Sequence, residues 1–121
     1  LKSNLILTSS IKSIKAPKFW HYEDLDMNSD VEYAIAKAGI NILIKDATVR
    51  YSNYMRCNAV APGGLLGERH DPKFVMRYEK SCTDGGLVNP LSVAKTIYFL
   101  MSPSCEISGQ VILIDNGWSL T

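Results

Sequence analysis

The sequence predicts an α/β fold built on a short parallel sheet. Apolar segments of strand length stand at residues 4–8, 55–61 and 110–114. Stretches of helical character separate them, and Pro-Gly-Gly and Ser-Gly punctuation bounds them. Strands that alternate with helices pair in parallel through right-handed crossovers. At 121 residues the chain suits one small domain, enough to bury roughly two thirds of its unfolded surface.

The elements follow in order. Asn4-Leu5-Ile6-Leu7-Thr8 is apolar on both faces, as in a buried parallel strand, and ends in Ser9-Ser10. Residues 11–28 read as an irregular connection holding Pro17, three lysines, the aromatics Phe19, Trp20 and Tyr22, and the acidic run Glu23-Asp24-Leu25-Asp26. Loops of this length in a compact domain are usually functional or disordered. Ser29-Asp30-Val31-Glu32 has the spacing of a capping box, in which Ser and Glu satisfy each other's free amides. The helix it opens is expected to run through Ala34, Ala38, Ile42 and Val49 to about Tyr51. The second strand, Met55 to Ala61, is expected to stop at Pro62-Gly63-Gly64, because proline has no ladder donor. Asp71-Pro72 and Asn89-Pro90 each put a capping side chain before proline at the first helical position, predicting helices over about 72–81 and 90–101. Ser108-Gly109 then leads into the third strand, Gln110 to Ile114, and the chain closes on Asp115-Asn116-Gly117-Trp118.

Composition narrows the function classes. Thirteen basic against 12 acidic residues leave a net charge of +1, with no electrostatic case for a nucleic-acid binder. Hydrophobic residues make up 46% and charged ones 21%, which argues against disorder. No apolar run approaches the roughly 18 residues of a membrane span, and the start lacks the basic-then-apolar design of a signal peptide. Cys57, Cys82 and Cys105 are odd in number and carry no CxxC spacing, so a disulfide framework or zinc site is not expected, and a cytoplasmic, reducing setting is. Neither His21 nor His70 has a metal-ligand spacing around it. The chain opens on Leu1 and enters a strand almost at once, as a piece of a longer chain would.

One pair of residues carries a chemical suggestion. Tyr33 and Lys37 lie four apart on the expected helix and therefore share a face. A tyrosine is a poor proton carrier at neutral pH, and a nearby ammonium favours its phenolate, which suits general acid–base work. With six Tyr and nine Lys, the spacing arises by chance about 0.4 times, so it is weak evidence alone. Its setting strengthens it. The strands ending in Ser9-Ser10 and in Pro62-Gly63-Gly64 flank the helix, and parallel α/β sheets bind ligands at the carboxyl ends of their strands. Because side chains alternate along a strand, one of the two serines can face Tyr33.

Four ordered blocks then resemble a known family. These are Leu7-Thr8-Ser9-Ser10, Tyr33-Ala34-Ile35-Ala36-Lys37-Ala38-Gly39, Arg56-Cys57-Asn58-Ala59-Val60-Ala61-Pro62-Gly63-Gly64, and Ile107-Ser108-Gly109-Gln110-Val111-Ile112-Leu113-Ile114-Asp115. Together they are similar to the C-terminal half of the classical short-chain dehydrogenases/reductases. Ala16-Pro17-Lys18-Phe19, Val31-Glu32-Tyr33 and Pro62-Gly63-Gly64-Leu65 look most like the flagellin-modification and sialic-acid-type sugar oxidoreductases within it. The resemblance implies the C-terminal part of a Rossmann-type doubly wound sheet, residues 1–121 forming a single partial domain without the cofactor half. It implies hydride transfer with NAD or NADP at a hydroxyl or carbonyl carbon of a small molecule, a sugar derivative by the subgroup resemblance, and a homo-oligomer in the full-length form. Tyr33 matches the catalytic acid/base and Lys37 the lysine that supports it and holds the nicotinamide ribose. Ser10 matches the serine that hydrogen-bonds the substrate oxygen, with Ser9 as the alternative, and Pro62 and Gly63 match the turn beside the nicotinamide.

Several features depart from the family pattern. No glycine-rich phosphate loop, ribose-reading acid or upstream helix asparagine is present, and 23 positions separate Ser10 from Tyr33, a longer gap than the family norm. Asn116 replaces a usual glycine, a mild change because Asn tolerates positive φ. Hydride transfer by the isolated chain is accordingly expected to be negligible. A non-catalytic remnant or self-association module stands as one alternative, and a sugar-nucleotide epimerase or dehydratase as another. Trp118 and Phe99 are expected in packing and Cys57 as an inert core thiol. Lys12, Lys15 and Lys18 read as a solvated loop that could instead face a phosphorylated or nucleotide-linked sugar.

Overall fold

The computed structural model describes residues 2–67 and 69–121. Strand β1 (Ser3–Thr8) leads through two single-turn 3₁₀ segments, Ile11–Ser13 and Phe19–His21, to helix α1 (Val31–Arg50). Strand β2 (Met55–Pro62), helices α2 (Pro72–Glu79) and α3 (Pro90–Met101), and strand β3 (Val111–Ile114) follow. The three strands pair in parallel in the order β1-β2-β3, with Leu5 opposite Cys57 and Ala59 opposite Val111. This is the α/β sheet the alternation predicts.

Strand β2 is central, and its small side chains explain why helices can approach both faces. Cys57 and Ala59 point toward Ile44 and Ala47 of α1. Val60 packs on the other face with Leu100 and Cys105, among Ile6, Ile97 and Ile112. Buried Asn58 satisfies itself and fixes the approach to β3: its Nδ2 donates to Ile107 O (2.8 Å) and its Oδ1 accepts from Gln110 N–H (3.0 Å). A third cluster of Ile11, Phe74, Tyr78 and Trp118 covers the carboxyl ends of the strands.

Strand β1 is not the buried strand its apolar run suggests. It is only partly covered, because it stands at the edge of the sheet and has a single ladder neighbour. The connection 11–28 is more ordered than expected, with both 3₁₀ turns in it. Helix α1 also begins differently. Asp30 takes the cap position, which puts Glu32 at the second rather than the third helical residue, so the reciprocal contact with Ser29 does not form. The Asp30 carboxylate instead accepts from Asn28 Nδ2 (2.9 Å). The face buried is that of Ile44 and Ala47, while Ile42 and Val49 are 65% and 79% exposed. The helix is apolar on both sides, so residue spacing alone could not tell which side meets the sheet.

The remaining junctions follow the sequence closely. Asp71 and Asn89 each accept a hydrogen bond from the backbone two residues on, at 2.8 and 2.9 Å, ahead of Pro72 and Pro90. Pro62 does close the β2 ladder, opposite Ile114, and the next residue still donates toward β3, Gly63 N–H to Ile114 O (2.9 Å). Asn116 takes a positive φ of 48°, as its glycine-like position requires. Phe99 is exposed rather than packed, whereas Trp118 and Cys57 are buried.

Candidate active site

The carboxyl ends of β1 and β2, the start of α1 and the aromatic cluster enclose a cavity of about 540 Å³. Ser9, Ser10, Tyr33, Pro62 and Gly63 all line it, together with Lys12, Tyr22, Phe74, Tyr78 and Trp118. Parallel strands make this convergence, since every strand delivers its last residue to the same edge.

Tyr33 stands in the first turn of α1, half exposed to the cavity. Lys37 follows one helical turn on, and its ammonium lies 5.6 Å from the centre of the Tyr33 ring. That ammonium donates to Thr8 O (2.8 Å), which ties α1 to the end of β1. Lys37 itself is not among the cavity-lining residues.

The two serines separate cleanly. Ser9 is buried, and its hydroxyl donates to Asn41 Oδ1 at 2.6 Å. Ser10 caps the first 3₁₀ turn, its oxygen accepting from Lys12 N–H (3.2 Å). The Ser10 hydroxyl donates to no acceptor among the described residues, whereas that of Ser9 is taken up by the scaffold. Asn41, one turn beyond Lys37, also donates from Nδ2 to Ser13 Oγ (2.8 Å), and Ser13 donates to Ser10 O (2.5 Å). The loop bearing Ser10 is thus laced to the helix bearing Tyr33.

Pro62 and Gly63 form the opposite wall. A Cβ on Gly63 would lie 2.7 Å from Tyr78 Oη and 3.2 Å from Asp115, so only glycine permits this approach. Tyr78 Oη accepts from Gly64 N–H (2.7 Å), and burial pushes its phenol far above the ordinary tyrosine range. Tyr78 is therefore a structural phenol. Behind it, His21 is fully buried with Nε2 2.8 Å from Ser81 Oγ. Burial, then the charges of Lys18 and Arg77, lower its imidazole to about 4.

A family model described as enoyl-(acyl carrier protein) reductase matches residues 5–119, nearly the whole chain. The chain belongs to the short-chain dehydrogenase/reductase family. Among its relatives is the post-translational flagellin modification protein A of Campylobacter coli, 36% identical over 119 residues, which cover 97% of this chain and 46% of that protein. A short-chain dehydrogenase of Leptospira borgpetersenii with bound NAD+ superposes with a TM-score of 0.87 at 28% identity, over 96% of this chain and 44% of that one. ElxO with NADP bound gives a TM-score of 0.78 at 25% identity, over 98% and 47%. The chain spans about half the length of these relatives and corresponds to their C-terminal part.

Three cavity or scaffold residues escaped the sequence, Asn41, Phe74 and Tyr78, while Lys12 stood out there only as one of three loop lysines. The spacing of Lys37 to Asn41 and of Phe74 to Tyr78, four residues each, was the available signal.

Proposed function

We propose that residues 1–121 form a single partial domain, the catalytic half of an NAD- or NADP-dependent oxidoreductase acting on a hydroxyl or carbonyl carbon. The observation that carries this is the shared cavity: Tyr33, Ser10 and the Pro62-Gly63 strand end line one space, with Lys37 behind the phenol. That donor set of phenol, hydroxyl and ammonium fits the nicotinamide-ribose end of a dinucleotide. The chain holds no glycine-rich loop for the diphosphate. When bound, the dinucleotide supplies or accepts the hydride.

Within this assignment the chain's residues divide the remaining work. Tyr33 exchanges a proton with the substrate oxygen, Ser10 donates a hydrogen bond to that same oxygen, and the Lys37 charge stabilises negative charge developing on the phenol. Pro62 and Gly63 shape the wall against which the nicotinamide rests. The cofactor-bound relatives support the cofactor class. The substrate class we propose is a sugar derivative, as the sequence resemblance implies, and the relative named for flagellin modification supports that grouping. Three free thiols accord with a cytoplasmic setting.

The test is a chimera in which the N-terminal half of the Campylobacter coli relative precedes this chain. It should bind NADH or NADPH and oxidise it with a carbonyl substrate, whereas the 121 residues alone should do neither measurably. A chimera that folds and binds cofactor but transfers no hydride to any of a broad panel of carbonyl compounds would contradict the assignment. Self-association draws support from one observation, the exposed apolar row of Val31, Ile35, Ile42 and Val49 on α1. In the full-length form that row is suited to a homo-oligomer contact.

A further inference from the structure

The three lysines of the 11–18 loop look alike in sequence, and the structure separates them. Lys15 Nζ donates to Ser119 O (2.9 Å) and to the carbonyl of Thr121. Lys18 Nζ donates to Trp118 O (3.3 Å) and Thr121 Oγ1 (2.5 Å) and lies 4.6 Å from the centre of the Trp118 ring. Both hold the chain's last turn against the loop. Lys12 does nothing of this kind. Its half-buried side chain lines the cavity, with the ammonium 5.7 Å from the Tyr33 ring centre and 5.8 Å from that of Tyr22.

Among the described residues the single ion pair is Asp46 with Arg50, and Lys12 Nζ has no hydrogen-bond acceptor. Asp30, the carboxylate that also lines the cavity, lies beyond ion-pair distance and is engaged by Asn28. An ammonium carries three donors, and aromatic faces satisfy none of them. A partly desolvated cation of this kind gains most from an anion, through a charge-assisted hydrogen bond. We propose that Lys12 is a specificity-determining residue that binds a carboxylate or phosphate group on the substrate whose hydroxyl or carbonyl is held at Tyr33. The substrate class is therefore an anionic hydroxy or carbonyl compound, with its charged group on the Tyr22 side of the cavity. The placement of the reacting oxygen rests on the function proposed above. The anion site rests on Lys12 alone.

The experiment titrates the ¹⁵N-labelled 121-residue chain with glucose, glucuronate and glucose 6-phosphate, following the amide resonances of Ser10, Tyr33 and Gly63. At least one of the two anions should bind about tenfold more tightly than glucose, with a preference that weakens in added salt. Which anion does so distinguishes a carboxylate from a phosphate. Lys12→Met should bring the anions down to the level of glucose, and Lys12→Arg should keep the preference. Should Lys12→Met lose its dispersed spectrum, Lys12→Gln replaces it and must give the same loss. Equal binding of all three probes, a preference that survives loss of the ammonium, or no shift at these residues with either anion would overturn the site. These readouts are binding, not turnover. An anion preference lost with Lys12, beside a chimera inactive on every carbonyl compound, would leave the anion site standing and remove the oxidoreductase assignment.

Discussion

The rim at the carboxyl ends of the strands and the flank formed by β1 and the outer side of α1 are built from similar apolar residues, yet they end differently. At the rim, Phe74, Tyr78 and Trp118 are buried against one another, and Tyr78 and Trp118 stack 5.8 Å apart. On the flank, Ile35, Ile42 and Val49 are exposed, and β1 offers a ladder edge with no partner among the described residues. The rim is completed within the chain, and the flank is not. The chemistry proposed above is placed at the rim, where geometry is fixed locally, and the flank presents an open ladder edge and an exposed apolar row.

Substitutions can test that contrast. Tyr78→Ala should cost the most, about 3–5 kcal/mol in denaturant unfolding, because a buried aromatic is removed from the centre of the rim. A loss under about 1 kcal/mol would show the rim to be loosely held. Tyr78→Phe keeps the ring and removes the acceptor of Gly64 N–H, and should cost about 1–3 kcal/mol. Acid should weaken the same region. His21 is held neutral, its folded value about 4 lying below the ordinary 6.5, so the unfolded chain takes up the proton first. The stability this group contributes is complete above pH 6.5, declines as pH falls toward 4 and is flat below. Denaturation midpoints across that window should follow this course, and His21→Gln should flatten it.

The flank should respond least. Ile35→Lys with Ile42→Lys alters exposed positions and should change unfolding free energy by no more than about 0.5 kcal/mol. Sedimentation should nonetheless move toward a monomer. An unchanged sedimentation profile would remove α1 from any self-association.

Much of the fold was legible because its signals were local. Asp71-Pro72 and Asn89-Pro90 cap their helices as written, and Pro62-Gly63-Gly64 ends the second strand. Helix α1 was legible in extent and not in orientation, since Ile42 and Ile44 are equally apolar and only tertiary packing chooses between them. The Tyr33–Lys37 pair could be found because a helix fixes its spacing. The family resemblance put Ser10 ahead of Ser9, but the bond that occupies the Ser9 hydroxyl could not be read from spacing, because its partner Asn41 lies 32 positions away in the chain. The same holds for Lys12, whose isolation shows only once Lys15 and Lys18 are placed on residues 118–121.

The central claim is that the Tyr33 phenol is the proton-transfer group of the rim. Single-turnover hydride transfer by the chimera, with and without Tyr33→Phe, tests it most directly. Loss of the hydroxyl should slow the step about 10³-fold while NADH affinity stays within about twofold. A Phe variant that transfers hydride within about threefold of the unsubstituted chimera would contradict the claim.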